Sequence, residues 1–386
     1  MNLSIWTHPF GENDTQSIIK LQEIISNHDI YGLTRYIDDN KQEKEKFELF
    51  IKKFIPNEYN GFYYAASGSE AVEHALVIAA QTTKKNKFFI FEGSYHGSSI
   101  GLLPISYPNE YTWELPFKYT TIKPPYCYRC NRKCDSTYPC LKQVFETIDN
   151  SSDYAGILID PSFGNIVCGS QKDYFKLLKE LCKEKNILLI FDEIRTGIGR
   201  TGRMFAFQEL EVKADIFCIS KAIACGIPLA LTIYQKENRT YREIIGTSIG
   251  LETSFAGTTL ALEMAMYTME RLSGELSNIT ETIYYMYFRL QDLKEFSVIG
   301  DIRNYGMIFV LEFVRKKTGD YNYSAALLFV HMMRKLGIYI SEPGYQSIVL
   351  LRPYYNIQKQ EIDDMINASI QVLKTISKPD KEVRNV

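Results

Sequence analysis

A carboxylate and an amine each follow an apolar segment of the chain, and together they could perform chemistry. Asp192 comes directly after the run Ile187–Phe191, and Lys221 follows Ile216–Ile219 and Ser220. Both runs have the length and composition of buried strands, and open α/β sheets bind ligands at the carboxyl ends of such strands. A buried carboxylate there is costly unless a cation meets it. A partly desolvated lysine has a lowered pKa, which makes its amine nucleophilic.

Either residue alone is compatible with a strand-end charge that faces solvent, but the two together match the needs of one cofactor. Pyridoxal 5'-phosphate (PLP) requires a lysine for its aldehyde carbon and an acid that keeps its pyridine nitrogen protonated. The pattern therefore predicts an enzyme that holds PLP as a Schiff base on Lys221, with Asp192 as the acid.

Two further turns suit the rest of this cofactor. Gly68 and Ser69 open a helical segment within the sequence SGSEA, where backbone N–H groups and a hydroxyl can bind a phosphate. The same turn is also an ordinary helix N-cap. Tyr95 and His96 follow the apolar run Phe88–Phe91 and place an aromatic ring and an imidazole at another strand end.

Alternating strands and helices are expected to position these residues. From about residue 60, short apolar runs alternate with helical periodicity, which predicts a mainly parallel sheet covered on both faces. The predicted elements are helices at 15–27, 42–54, 70–80, 173–184, 275–295, 324–336 and 359–374 and strands at 88–91, 156–159, 187–191, 216–219, 298–303, 307–314, 337–341 and 348–353. We predict a large PLP-binding α/β domain over 55–275 and a small α+β domain over 276–386. The helical segment 1–54 is expected to pack near the small domain.

Bulk properties narrow the class of protein. The chain has 386 residues and a formal net charge of -2, so there is no electrostatic case for binding nucleic acid or an anionic membrane. No uninterrupted apolar run reaches the roughly 18 residues of a membrane helix, and the first residues do not resemble a signal peptide. Eight cysteines in such a chain are better explained as thiols or metal ligands than as a disulfide framework. A cytoplasmic enzyme is predicted.

The order of the motifs resembles the class III aminotransferases, the ornithine/4-aminobutyrate type of PLP-dependent enzymes with fold type I. The resemblance covers about residues 60–270 and is carried by SGSEA at 67–71, FEGSYHGS at 91–98, DEIRTGIGRTG at 192–202, ISKA at 219–222 and SFAGTTLA at 254–261. It implies a seven-stranded, mainly parallel sheet and a homodimer. It also implies an enzyme that moves an amino group between an amine or amino acid and an oxo-acid or aldehyde in two ping-pong half-reactions.

The resemblance also implies roles for single residues. Lys221 would carry the Schiff base and later the proton, and Asp192 would pair with the pyridinium nitrogen. The other residues implied at the cofactor are Gly68 and Ser69 at the phosphate, Tyr95 and Ile194 on the two ring faces, and His96 and Arg195 beside them. Ser254, with Phe255 next to it, falls where the family usually has a threonine that reaches the phosphate of the neighbouring subunit. The active site would therefore lie at the dimer interface.

Four features depart from the family pattern. Arg195 stands where many members have a glutamine that contacts the phenolic oxygen of the cofactor, and Asn165 stands where ornithine-type members have a glutamate. Leu350 replaces an arginine that recognises substrate carboxylate, although Arg352 lies two residues later, on the same face of a strand. The segment before SGSEA is shorter than usual, so part of the pocket wall must come from elsewhere. These changes weaken the expectation that glutamate and 2-oxoglutarate serve as amino donor and acceptor.

A cysteine cluster allows two interpretations. Cys127, Cys130, Cys134 and Cys140 have the spacing C-x2-C-x3-C-x5-C, which could form a zinc site or share an iron–sulfur cluster across a dimer. The alternative, which we predict, is a surface loop rich in tyrosine and proline with reduced thiols and no metal.

Other functions share the same core motifs. A PLP-dependent racemase, aminomutase or decarboxylase would also use Lys221 and Asp192, and a non-catalytic binding protein on this scaffold is a remote alternative. A transaminase that receives only its amine accumulates the aminated cofactor, whereas a racemase returns to its starting form. Fixation of the cofactor to Lys221 by borohydride would exclude a protein that has lost PLP.

Overall fold

The structure is a computed structural model, and it describes residues 1–4, 6–34, 40–106, 117–130, 141, 144–147, 153–169, 171–235 and 253–377. Two sheets organise this part of the chain. The strands are β1 Tyr59–Ala65, β2 Lys87–Phe91, β3 Lys118–Ile122, β4 Tyr154–Ile159, β5 Leu188–Asp192, β6 Ile216–Ile219, β7 Ala230–Gln235, β8 Ile299–Tyr305, β9 Ile308–Phe313 and β10 Ile348–Leu351.

Helices surround both sheets. They are α1 Thr15–Asn27, α2 Ile30–Thr34, α3 Lys41–Ile51, α4 Gly68–Thr83, α5 Leu103–Ser106, α6 Lys172–Glu184, α7 Ala206–Leu210, α8 Thr259–Leu290, α9 Tyr323–Lys335 and α10 Lys359–Ile376. Short 3-10 helices cover Cys127–Arg129, Lys221–Ala224 and Gln291–Glu295. No helix in the described ranges is long and apolar enough to cross a membrane.

The larger sheet is mainly parallel, as predicted. Its seven strands have the order β1-β7-β6-β5-β4-β2-β3, and β7 runs antiparallel to both of its neighbours. Strands β4 and β6 are buried along their whole length. Such continuous burial of isoleucine, leucine and phenylalanine is typical of a sheet covered on both faces. The carboxyl ends of β1 to β6 therefore meet at one edge.

The second sheet is antiparallel and has the order β10-β9-β8. The helix α8 runs for 32 residues and packs against the 3-10 helix Lys221–Ala224, as well as against α1, α3 and α10. Its N-cap is Thr258, whose side chain accepts a hydrogen bond from the Ala261 N–H. The predicted domain division at residue 275 falls inside α8, and the domain bounds stay a prediction.

The structure corrects several predicted elements. The helix predicted at 275–295 is the second half of α8, followed by a 3-10 helix. The strand predicted at 337–341 is absent, because Tyr339 forms only an isolated bridge with Asn2. The strand predicted at 348–353 ends at Leu351, and Arg352 instead pairs with Ser4. Pro353 lacks an N–H and cannot continue the ladder. Strands β1, β3 and β7 were not predicted.

Candidate active site

Eight of the residues predicted to bind the cofactor line one cavity at the carboxyl edge of the larger sheet. Each ends a strand, follows one or opens the helix after it, which is the place where parallel sheets bind ligands. The eight are Gly68, Ser69, Tyr95, His96, Asp192, Ile194, Arg195 and Lys221, and the cavity is completed by Gly97 and Ser220. The fold therefore brings together residues from four separate parts of the sequence.

Lys221 stands in this cavity in a strained conformation. It begins the 3-10 helix after β6 with a φ of 52°, a region that residues other than glycine seldom adopt. Burial lowers the pKa of its amine to about 8, and the positive charge of Arg195 adds to this effect, against the opposing charges of Asp192 and Asp160. A pKa of about 8 leaves roughly a tenth of the amine unprotonated at pH 7, far more than in an exposed lysine, and the unprotonated form is the nucleophile.

Asp192 is held in a defined orientation. Its Oδ2 lies 2.8 Å from Nδ1 of His96, and its Oδ1 accepts a hydrogen bond of 3.1 Å from the Ile194 N–H. Both Asp192 and His96 are buried. Because Nδ1 of His96 faces a carboxylate, the imidazole carries a proton there. Its Nε2 is buried and has no hydrogen-bond partner within the described residues.

The N-terminus of α4 contributes Gly68 and Ser69 to the lining of the cavity. Ser67 caps the helix through its side chain, which accepts a hydrogen bond of 3.3 Å from the Glu70 N–H. A Cβ on Gly68 would approach Cδ1 of Ile194 to 2.7 Å, so a larger residue would have to displace the Ile194 side chain. Ser69 Oγ accepts a hydrogen bond of 3.2 Å from the Ser98 N–H. The N-terminus of this 16-residue helix therefore faces the cavity with small residues, as a phosphate requires.

These features fit PLP on grounds of geometry and charge. A buried amine with a lowered pKa, an oriented carboxylate and a helix N-terminus line one cavity. The unsatisfied His96 Nε2 marks a buried polar position in the same region. Lys221, Asp192 and the turn at Gly68 and Ser69 would hold the aldehyde carbon, the pyridine nitrogen and the phosphate respectively.

Arg195 points into the protein rather than into solvent. Its Nε donates to Asp160 Oδ2 at 2.8 Å, its Nη1 to Asn165 Oδ1 at 3.0 Å and its Nη2 to Ser162 Oγ at 3.1 Å. Asp160 was not among the predicted site residues, although it comes directly after the buried strand β4, and Asp192 is likewise the last residue of β5. The signal that identified Asp192 could therefore have found it.

Trp6 also lies beside Lys221, and Arg352 lies beside Trp6. The centroid of the Trp6 ring is 5.9 Å from Lys221 Nζ, 5.1 Å from Arg195 Cζ and 4.7 Å from Arg352 Cζ. The segment before Trp6 is held by backbone pairing, since the Arg352 N–H donates to the Leu3 carbonyl at 2.7 Å. No local pattern near the first residues indicates this position, because the contact depends on pairing with residues more than 300 positions away.

Two groups of predicted residues lie outside the cavity. Ser254 and Phe255 do not line it, and Phe255 is 66% exposed. Cys127 is exposed and Cys130 is half-buried, whereas Cys134 and Cys140 lie outside the described residues. The described residues contain no group of three or more His, Cys, Asp or Glu that could hold a metal ion. The interpretation of the cysteine cluster stays a prediction.

Comparison with known proteins places this geometry in a family. The model of class-III aminotransferases matches residues 20–373. An adenosylmethionine-8-amino-7-oxononanoate aminotransferase of Geobacter sulfurreducens is 28% identical over 350 residues, which cover 82% of this chain and 75% of the relative. An acetylornithine aminotransferase of Clostridium acetobutylicum is 26% identical over 371 residues, covering 93% and 87% respectively. The solved omega-aminotransferase from Paracoccus denitrificans has the same fold, with a TM-score of 0.87 at 18% identity over 96% of this chain and 87% of that one.

Fold and site together define a PLP-dependent transferase of fold type I. The chain belongs to the class III aminotransferase family, since the family model spans nearly all of it. The predicted family, fold class, cofactor and type of enzyme are thereby confirmed.

Proposed function

We propose that the cavity around Lys221 transfers an amino group between an amine or amino acid and an oxo-acid or aldehyde. The observation that carries this proposal is the buried Lys221 amine, with a pKa of about 8, in one cavity with the oriented carboxylate of Asp192. Small-molecule amines and oxo compounds are the substrates of the family, and each half-reaction is expected to use the same cavity.

PLP, when bound, supplies an electron sink that acidifies the C–H bond next to the substrate nitrogen. Asp192 would keep the pyridine nitrogen protonated, and His96 Nδ1 fixes the carboxylate for that task at 2.8 Å. The Lys221 Nζ, as a free amine, would accept the proton from the substrate carbon and return it as a general acid.

Several residues of the cavity support this role of Lys221. Burial and the cationic Arg195 lower its pKa, so that it accepts and releases protons near neutral pH. Tyr95 and Ile194 line the cavity and supply an aromatic and an aliphatic surface for the two faces of a flat ring. The small residues Gly68 and Ser69 leave the backbone N–H groups of α4 accessible to phosphate.

A half-reaction tests the proposed transfer. The PLP-loaded protein receives an amine without any oxo acceptor, and we expect its visible absorbance to disappear as the cofactor retains the amino group. Lys221→Ala should slow this change by about a hundredfold to ten-thousandfold, the usual contribution of a general acid/base. Lys294→Ala, at an exposed lysine, is the matched control. Consumption or racemisation of the substrate with unchanged cofactor absorbance would contradict transamination.

We also propose that the protein acts as a homodimer with the site near the interface. Two large apolar side chains, Ile100 and Phe255, are 75% and 66% exposed, and α1 to α3 carry further exposed isoleucine, leucine and tyrosine. Large apolar exposure of this kind is typical of a surface that another chain covers. Sedimentation should give twice the chain mass of 44.6 kDa. Phe255→Asp should weaken the dimer, and a monomeric wild type with full activity would contradict the proposal. The cytoplasmic location stays a prediction.

A further inference from the structure

One buried guanidinium near the site has no acidic partner among the described residues. Arg352 follows β10 and is 8% exposed. Its Nη2 donates to Ser341 Oγ, while its buried Nε has no hydrogen-bond partner in the described part of the chain. The charged groups that act on it most strongly are two other arginines, Arg195 and Arg200. Burial, followed by these two charges, lowers the pKa of Arg352 to about 9.

Three other buried or partly buried arginines in the described ranges have partners within the chain. Arg195 pairs with Asp160, and Arg271 pairs with Asp14. Arg200 donates to the Pro353 carbonyl and packs on the ring of Tyr355. Removing a cation from water without an anion costs several kcal/mol, so the isolated Arg352 indicates that an anion from outside the chain completes the site.

Arg352 and the Lys221 amine both lie near the ring of Trp6. The ring of Trp6 lies 4.7 Å from Arg352 Cζ and 5.9 Å from Lys221 Nζ, so both groups border the same indole. Arg352 also contributes to the lowered pKa of Lys221, which shows that its charge is felt there. A small molecule whose amine reacts at Lys221 can therefore extend a second group towards Arg352.

The phosphate of the cofactor does not account for this cation. The helix N-terminus at Gly68 and Ser69 lines the Lys221 cavity, whereas Arg352 is absent from the residues lining it. Arg352 is held instead by the N-terminal segment. The Arg352 N–H donates to the Leu3 carbonyl. Ser341, whose hydroxyl accepts from Arg352, donates its own N–H to Ser4 Oγ at 2.6 Å.

We propose that Arg352 binds a carboxylate of the substrate, with the Trp6 ring as an apolar wall beside it. This rests on the proposed function and narrows its substrates to amino acids and oxo-acids. A guanidinium presents paired N–H donors that match a carboxylate. The family's arginine position is Leu350 in this chain, so the cation that performs this recognition would come from a different place on the strand.

Kinetics with matched donors test the inference. L-alanine, β-alanine and 4-aminobutyrate are compared with isopropylamine, propylamine and butylamine, in which a methyl group replaces the carboxylate. We expect wild type to prefer the carboxylate in at least one pair by about 30-fold or more in kcat/KM. Arg352→Met should lose this preference mainly through KM and leave the uncharged amines unaffected. Arg352→Lys should retain part of it, and Arg315→Met, at an exposed arginine, should behave as wild type.

Direct binding provides a measurement that does not need turnover. The chain has two tryptophans, so Trp113→Phe leaves Trp6 as the sole indole reporter. Its fluorescence is followed during titration of the PLP-loaded protein with unreactive carboxylates from acetate to hexanoate. We expect saturable binding whose Kd rises about tenfold or more in Arg352→Met. Absence of carboxylate binding, or equal Kd values in both proteins, would overturn the inference.

Failure of this inference can be separated from failure of the proposed function. If uncharged amines react as well as their carboxylate partners, the function stands and the role of Arg352 is overturned. If no donor is transaminated but carboxylates bind through Arg352, the proposed function fails instead. Loss of PLP from both Arg352→Met and Arg352→Lys, seen as loss of visible absorbance, would assign Arg352 to the cofactor and overturn the inference.

Discussion

Arg195 and Asn165 contact each other through a hydrogen bond of 3.0 Å between Nη1 and Oδ1. Both residues depart from the pattern of the family, and the structure shows that the two departures belong to one buried group. Asp160 completes it by accepting from Arg195 Nε. Arg195 stands where many family members have a neutral glutamine, and the carboxylate of Asp160 balances its charge. Asn165 stands where ornithine-type members have a glutamate, and its amide oxygen accepts from Arg195. The positive charge of Arg195 reaches Lys221 and lowers its pKa.

Removal of the Arg195 charge should raise the pKa of Lys221. Cofactor-free protein recaptures PLP through the unprotonated amine, so the rate of recapture should rise with pH around a midpoint near 8. Arg195→Gln should move this midpoint to higher pH. Asn165→Asp should move it in the same direction, because a new carboxylate offsets the Arg195 charge. The measurement is the change of visible absorbance after mixing with PLP at a series of pH values.

Arg315→Gln, at an exposed site after β9, serves as the control and should leave the midpoint unchanged. An unchanged midpoint in Arg195→Gln would show that burial alone sets the pKa of Lys221.

The Asp160–Arg195 pair should show strong energetic coupling. Asp160→Asn leaves a buried guanidinium without its carboxylate, which typically costs about 3 to 5 kcal/mol in the free energy of unfolding. Arg195→Met alone leaves the carboxylate unpaired. The double variant removes both charges and should cost less than the sum of the two single changes by more than about 1 kcal/mol. Urea unfolding of the four proteins measures this, and additive costs would contradict a buried ion pair.

Lys221 should destabilise the cofactor-free protein at neutral pH. Its folded pKa of about 8 lies below the unfolded value, so the unfolded chain binds more protons between about pH 8 and pH 10.4. Stability contributed by this group therefore rises with pH across that window, and the full penalty is present below it. Lys221→Met should gain about 3 kcal/mol over wild type at pH 7 and about 1 kcal/mol at pH 9.5.

Lys294→Met, at an exposed site on the 3-10 helix after α8, should show neither the gain nor its pH dependence. A gain from Lys221→Met that stays constant between pH 7 and pH 9.5 would assign it to apolar packing rather than to charge.

Glu312 should be essential for docking the segment around Tyr126 onto the second sheet. It is fully buried in β9 and accepts hydrogen bonds from Arg129 Nε at 2.8 Å, from Arg303 Nη1 at 2.9 Å and from the Tyr126 hydroxyl. Glu312→Gln removes the one charge that both guanidinium groups share, and we expect a loss of about 3 to 5 kcal/mol in the free energy of unfolding.

Urea unfolding measures this loss against Glu281→Gln, an exposed change on α8 that should stay within about 0.5 kcal/mol of wild type. A comparably small effect of Glu312→Gln would show that the segment is held by its other contacts.

The sequence by itself predicted the residues at the centre of the cavity. Asp192 and Lys221 could be found because each follows a buried apolar strand, and parallel strands bring their carboxyl ends to one edge. Gly68 was identifiable because a phosphate needs a helix N-terminus with small residues. The mainly parallel sheet followed from the same alternation of strands and helices. These signals are local, since each is contained in fewer than about twelve consecutive residues.

Only the tertiary structure decided which charged groups surround Lys221. Arg195 is compatible with an exposed or a buried guanidinium until Asp160 and Asn165 are seen to enclose it. Trp6 comes to Lys221 because residues 2 and 4 pair with Tyr339 and Arg352. Such contacts join distant segments by single backbone bridges and side-chain packing, which have no sequence period. The residues that would bind the cofactor can therefore be predicted from the sequence, whereas the charges and the aromatic ring around Lys221 are known only from the folded chain.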